Sequence, residues 1–262
     1  MTGAAIRSFV ALGDSFTEGL HDVLGPDRRH QGWADRVAAA LAVESGGLRY
    51  ANLAVRGRLL DQVVAEQLPL ALRLAPDLVS FHAGPNDVLR PGRDVSALLE
   101  PYGAAVGTLR EAGLRTVVFT VIERTGTGRT ADRLAARFRQ FNAGVRTVAA
   151  RHGAVLVDLG AVPVLQDRRL WHEDRLHLAP DGHARVAAAV LEALGRPEDP
   201  PDWWRQGLPA RPRATRRQEL ATDARWVRAY LLPWVGRRVR GTSSGDGLPP
   251  KHVELVDVRP GR

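Results

Sequence analysis

An α/β fold, with a parallel sheet covered by helices on both faces, is the class this sequence predicts. Five short apolar, β-branched runs alternate with stretches of helical period. Right-handed crossovers leave few other ways to arrange such an alternation. The first run, SFVAL at 8–12, is followed by WADRVAAALAVE, whose apolar residues recur at helical spacing. RYANL at 49–53 then precedes the helical stretch LLDQVVAEQLPLALRLA. DLVSFH at 77–82 and TVVFTVI at 116–122 bracket VSALLEPYGAAVGTLREAG, and AVLVDL at 154–159 follows RTADRLAARFRQFNAGVRTVAARHG. A closing helix over about 180–195 opens with Pro180 in its first turn and stops at Gly195. The expected sheet therefore has five strands, all parallel.

Composition narrows the class. The chain has 262 residues, 44% of them hydrophobic, which is ample for a core. With no cysteine, disulfides, a thiol nucleophile and thiolate metal sites are excluded. No apolar run approaches the roughly 20 residues of a membrane span, and the N-terminal stretch, with Arg7 inside it, does not resemble a cleavable signal peptide. A soluble, cytoplasmic protein is expected.

Charge divides the chain. Residues 1–200 hold 24 Lys and Arg against 23 Asp and Glu, whereas residues 201–262 hold 13 against 6, so nearly all of the net charge of +8 lies in the tail. Five prolines between 197 and 212 predict a linker. The expected organisation is a domain over 1–198, a Pro-rich linker over 199–215 and a basic amphipathic arm and tail over 216–262. In the arm Leu220, Val227, Leu231 and Trp234 fall on one helical face, with Arg216, Arg217, Arg225 and Arg228 largely elsewhere. Past Gly236 the chain reads as disordered or draped over the surface. The arm is expected to pack on its own domain. An anionic membrane surface is the other partner its charge allows, and nucleic acid is not expected because no binding fold stands behind the charge.

Four stretches lie just after an expected strand or at the closing helix: GDSFTEG with Ser15, NLAVRG with Gly57, GPND with Asn86, and DRLH with Asp174 and His177. Each alone has an ordinary explanation. Asp and Ser cap helices, and Asn86 with Asp87 could form a simple turn. Together they supply a hydroxyl nucleophile, a base, an acid to orient it and donors for an oxyanion. Strand-end loops of a parallel sheet converge, so all four can meet in one cleft.

These blocks resemble those of the SGNH hydrolase superfamily, the GDSL-type esterases and lipases, over about residues 8–195. Gly13 to Gly19 match the first block, Asn52 to Gly57 the second, Gly84 to Asp87 the third and Asp174 to His177 the last. The resemblance implies a flavodoxin-like three-layer α/β/α sandwich and hydrolysis of acyl esters, short-chain or acetyl ones being expected because no long apolar lid is evident. It makes Ser15 the nucleophile, His177 the base and Asp174 the residue that holds the imidazole. It assigns the oxyanion hole to the backbone N–H groups of Ser15 and Gly57 and the side-chain amide of Asn86. The same residues would serve a carbohydrate deacetylase or an acyltransferase, and a non-catalytic binding protein on this scaffold is the alternative of another class.

Other residues receive lesser expectations. Asp14 is read as support for its loop, His172 as the rival base, His183 as packed or solvated, and His82 as filling the core edge. Arginines of the expected rim (Arg28, Arg29, Arg58, Arg90, Arg93, Arg124, Arg129) suggest an anionic or polar substrate. No metal set stands out, and no cofactor is expected.

Overall fold

In the computed structural model, which describes residues 5–25, 29–123, 128–210 and 215–260, the expected alternation of strand and helix is realised. The strands are β1 (Ser8–Gly13), β2 (Leu48–Asn52), β3 (Leu78–His82), β4 (Arg115–Phe119) and β5 (Val155–Val157). A sixth, β6 (His252–Val258), completes a sheet of order β5-β4-β3-β1-β2-β6. Neighbours among β1 to β5 run parallel, and β6 pairs antiparallel with β2.

Period-two alternation in β1 divides the core into two layers. Phe9 and Ala11 face α1 (Gly32–Ser45) and α2 (Pro180–Ala193), with Trp33, Val37, Leu41, Val186 and Val190 fully buried against them. Val10 and Leu12 face the other side, against the helical segment 60–74, α3 (Val95–Glu111) and α4 (Arg129–His152). Chain order reverses at β1, since β2 lies on one side of it and β3 on the other. The crevice at the carboxyl ends of these strands is where an open parallel sheet offers a binding site.

Three expectations are corrected. The sheet has six strands rather than five parallel ones, because the tail read as disordered or draped supplies β6. That strand is fastened to α1 by Lys251, whose ammonium lies 2.7 Å from Asp35 Oδ2 and 3.1 Å from the Gln31 carbonyl. β4 ends at Phe119 rather than at 122, because Asn142 takes over the backbone of Val121, its side chain accepting from the N–H (2.7 Å) and donating to the carbonyl (2.9 Å). Part of the expected linker is tied down: Trp204 is 5% exposed in the core, and Arg185 donates to the carbonyls of Trp204 and Gln206 at 2.6 and 2.9 Å.

The arm is helical over Arg216–Trp226, passes through a π-helical turn at Val227–Leu231, and continues as a helix over Leu232–Val239. A π turn inserts one extra residue into the helical register. Leu232 and Val235 are therefore exposed in line with Leu220 and Val227, while Leu231 and Trp234 are half-buried. The inward side of the arm carries Trp226 and Tyr230, and Arg216, Arg217, Arg225 and Arg228 remain exposed.

His183 in α2 is 1% exposed and donates from Nε2 to the Leu20 carbonyl at 3.3 Å. Burial pushes its pKa down to about 4, against about 6.5 in an unfolded chain. The unfolded state thus binds the extra proton between about pH 4 and 6.5, so this contribution to stability grows as pH rises through that window and is lost as pH falls. Burial pushes Asp35 the opposite way, up to about 7, which makes stability fall as pH rises over an overlapping range. The difference between wild type and His183→Gln isolates the histidine. Urea unfolding should show the wild type losing about 3 kcal/mol relative to the variant between pH 6.5 and 4; parallel curves would contradict this.

Candidate active site

The GDSFTEG stretch turns from β1 into one short helix, Ser15–Glu18. Gly13 has φ +153°, and a Cβ there would come within 2.6 Å of the His82 carbonyl and 2.7 Å of Thr17 Oγ1, so the turn requires glycine. Gln67, 2% exposed, clamps the Gly13 peptide groups from the helical segment 60–74. Its Oε1 accepts from the N–H at 2.7 Å and its Nε2 donates to the carbonyl at 2.9 Å. Asp14 caps the short helix by accepting from Phe16 N–H at 3.1 Å. Its other oxygen accepts from Asn86 Nδ2 at 3.0 Å. The acid read as loop support thus also fixes the position of Asn86.

Ser15 is brought to His177, 162 positions away, with Nε2 2.9 Å from Oγ. His177 Nδ1 lies 2.5 Å from Asp174 Oδ2. That pairing puts the ring proton on Nδ1 and leaves Nε2 to accept from the serine hydroxyl. Asp174 folds its own loop, because Oδ1 accepts from the N–H groups of Leu176 and His177 at 3.0 and 3.1 Å while Arg175 adopts φ +61°. Burial would raise the Asp174 pKa. Hydrogen bonds from His177, His21 and Leu176 outweigh it and hold the carboxyl well below the usual range.

The second strand-end loop brings up Gly57. Asn52 is fully buried, donating to Thr17 O and Tyr50 OH and accepting from Ala54 N–H. Glu18 of the first block accepts from Arg56 N–H at 2.8 Å and pairs with its guanidinium. Gly57 has φ +77°, a backbone state that favours glycine. Asn86 lies on one turn of helix, Pro85–Val88, and its amide donates to Arg58 O at 3.0 Å as well as to Asp14. Beneath it Asp87, 1% exposed, accepts from Leu60 N–H at 2.9 Å, and burial raises its pKa. All the residues singled out in the four stretches therefore gather at the carboxyl ends of β1, β2 and β3 and at the start of α2.

The remaining histidines separate clearly. His172 does not approach Ser15; its Nδ1 accepts from Asp174 N–H at 3.2 Å, which spends the lone pair a base would need. His82 is 6% exposed, its ring tilted against Phe16 with centroids 4.3 Å apart, and its Nδ1 lies 3.6 Å from Asp14 Oδ1. His183 is the buried histidine of α2. Of the rim arginines, Arg28 and Arg124 lie outside the described residues, and Arg58 is paired with Glu66 at 2.9 Å.

Two residues escape sequence reasoning. One is Gln67. The other is His21, whose Nε2 lies 3.2 Å from Asp174 Oδ2, the oxygen that also receives His177. It holds φ +70°, uncommon for a side chain larger than glycine, and its ring stacks on His172 at 3.7 Å and 3°. His21 lies only two residues past the GDSFTEG stretch, but nothing in its spacing marks it. Among the described residues, ligating atoms of His21, His172 and Asp174 lie within 4.8 Å of one another, the one such group of three. Parallel stacked rings cannot both direct an in-plane lone pair at a single ion between them, so this group fits a metal poorly.

A family model described as GDSL-like Lipase/Acylhydrolase matches residues 11–185. No curated protein sequence matches the chain. Among solved structures it is similar to TesA, with 23% identity, a TM-score of 0.60, and coverage of 72% of this chain and 98% of that one. Axe2, an acetylxylan esterase from Geobacillus stearothermophilus, shares 20% identity at a TM-score of 0.63, covering 74% and 97%. The psychrotrophic esterase EstA from Pseudoalteromonas sp. shares 16% at 0.58, covering 72% and 97%. At these identities the structures report a shared fold.

Proposed function

Since the chain belongs to the GDSL-like lipase/acylhydrolase family and is a carboxylic ester hydrolase, we propose that it cleaves short acyl esters through an acyl-enzyme on Ser15. The observation that carries this reading is the continuous relay from Ser15 Oγ to His177 Nε2 at 2.9 Å and from His177 Nδ1 to Asp174 at 2.5 Å. Ser15 Oγ attacks the ester carbonyl while His177 takes its proton. The negative oxygen is received by the N–H groups of Ser15 and Gly57 and the Asn86 amide. Collapse expels the alcohol, protonated by His177, and leaves the acyl group on Ser15. Water, activated by the same imidazole, then releases the carboxylic acid and restores the serine. The strongly acidic Asp174 remains a carboxylate throughout and stabilises the imidazolium formed at each proton transfer. A short acyl group is supported by the arm, which lies close over the site, and Axe2, described as an acetylxylan esterase, shares the fold.

Incubation with a fluorophosphonate followed by peptide mass spectrometry should place one adduct on Ser15, together with loss of aryl acetate hydrolysis. An unlabelled Ser15 in folded protein would defeat the reading.

Asn86 is held from two sides, by Asp14 and by the Arg58 carbonyl. Both N–H groups of this amide are engaged, so one of the two must turn from its present acceptor to the oxygen on which charge develops. Asn86→Ala should lower kcat by about 10²- to 10³-fold with KM changed much less. A raised KM with kcat unchanged would assign Asn86 to ground-state binding instead.

A further inference from the structure

The C-terminal arm touches both halves of the proposed catalytic apparatus. At the histidine end, Trp226 donates its indole N–H to the Asp174 carbonyl at 2.8 Å. The Trp226 ring carries the Arg175 guanidinium 4.5 Å from its centroid, and Arg175 pairs with Asp223 one turn back on the arm. Tyr230 meets the edge of His172 at 6.1 Å, and His172 stacks on His21. A row of rings thus runs from the arm to the carboxylate that orients His177.

At the oxyanion end, the turn after the helix sits on the Arg56–Gly57 loop. Its form is fixed locally, because Ser243 N–H donates to Asp246 Oδ2 at 2.7 Å and Ser243 Oγ accepts from Gly245 N–H at 3.2 Å. A Cβ on Gly57 would overlap Ser243 Oγ, and a Cβ on Gly245 would overlap the Arg56 carbonyl oxygen. Ser243 therefore occupies the space a side chain at 57 would fill, next to the amide expected to receive the oxyanion. Gly245 is buried and lets the turn approach closely enough to put it there.

We propose that the C-terminal arm is a wall of the ester site and that Ser243 limits the size of the group accepted beside the Gly57 amide. A close wall on this side admits an acetyl group and crowds a longer acyl chain. The inference rests on the esterase reading above, and it assigns a specificity role to residues outside the stretch of 11–185 that the family model matches.

Two variants test it in opposite directions. Full-length wild type, Ser243→Leu and Gly245→Ala are assayed with p-nitrophenyl acetate, butyrate and octanoate. Ser243→Leu thickens the wall and should raise the acetate-to-octanoate ratio of kcat/KM by about tenfold. Gly245→Ala lifts the turn off Arg56 and should lower that ratio by a similar factor, within the range a few methylenes command in a pocket. General damage to the fold would depress all three substrates alike, so an unchanged ratio in both variants overturns the proposal. Amide hydrogen exchange at residues 56–58 gives a readout independent of catalysis: Gly245→Ala should speed it, and unchanged exchange likewise overturns the proposal. If wild type hydrolyses none of the esters, the reading of the function fails, while the exchange measurement still decides whether the arm is seated on the Gly57 loop.

Discussion

Ser15→Ala is expected to lower kcat/KM for an aryl acetate by about 10⁴- to 10⁶-fold while the protein stays folded. The hydroxyl supplies the bond-forming atom, and no neighbour can replace it: the chain has no cysteine, and Thr17 is fully buried below the turn. Residual activity would come from the oxyanion donors and from His177 acting on water. The fold should tolerate the change because the short helix is held by groups other than the hydroxyl, namely the Asp14 cap, the Gln67 clamp on Gly13 and the Glu18–Arg56 pair. Far-UV circular dichroism and thermal unfolding should therefore match wild type closely. Retention of more than a hundredth of the activity in a purified, folded variant would remove Ser15 from the chemistry.

The parts of this molecule that could be read from its sequence are those in which a local pattern carries the information. Short continuous apolar runs marked the five parallel strands, because a strand buried on both faces, as β1 is by Phe9 and Val10, has no polar side to disguise it. Ser15, Gly57, Asn86, Asp174 and His177 each lie in a short block following a strand or opening a helix, where topology alone forces convergence. His21 and Gln67 carry no such mark, since their partners, Asp174 and Gly13, are 153 and 54 positions away in the chain. β6 was hidden for a related reason. Its burial alternates only weakly, because it is an edge strand whose position depends on pairing with β2 and on Lys251 reaching Asp35. The π turn at Val227–Leu231 defeated the wheel drawn for the arm, because one inserted residue rotates everything that follows.

Asp174→Asn should be nearly as damaging as loss of the nucleophile, at about 10⁴-fold in kcat, for a reason that depends on how crowded this carboxylate is. It accepts from Leu176 N–H, His177 N–H, His177 Nδ1 and His21 Nε2. An amide has one accepting oxygen for these donors, and the two backbone N–H groups at Oδ1 fix which end it presents to them. The NH₂ group then faces the imidazoles, and a donor opposite His177 Nδ1 selects the tautomer with its proton on Nε2. In that state the ring cannot accept from Ser15 Oγ. His21→Ala removes one donor and leaves the other three, so it should cost only about tenfold in kcat, the value of roughly one hydrogen bond to a charged group. The double variant separates orientation from charge. If His21 acts only through Asp174, adding His21→Ala to Asp174→Asn should cause little further loss. A further full tenfold fall would mean that His21 reaches the substrate by a route of its own.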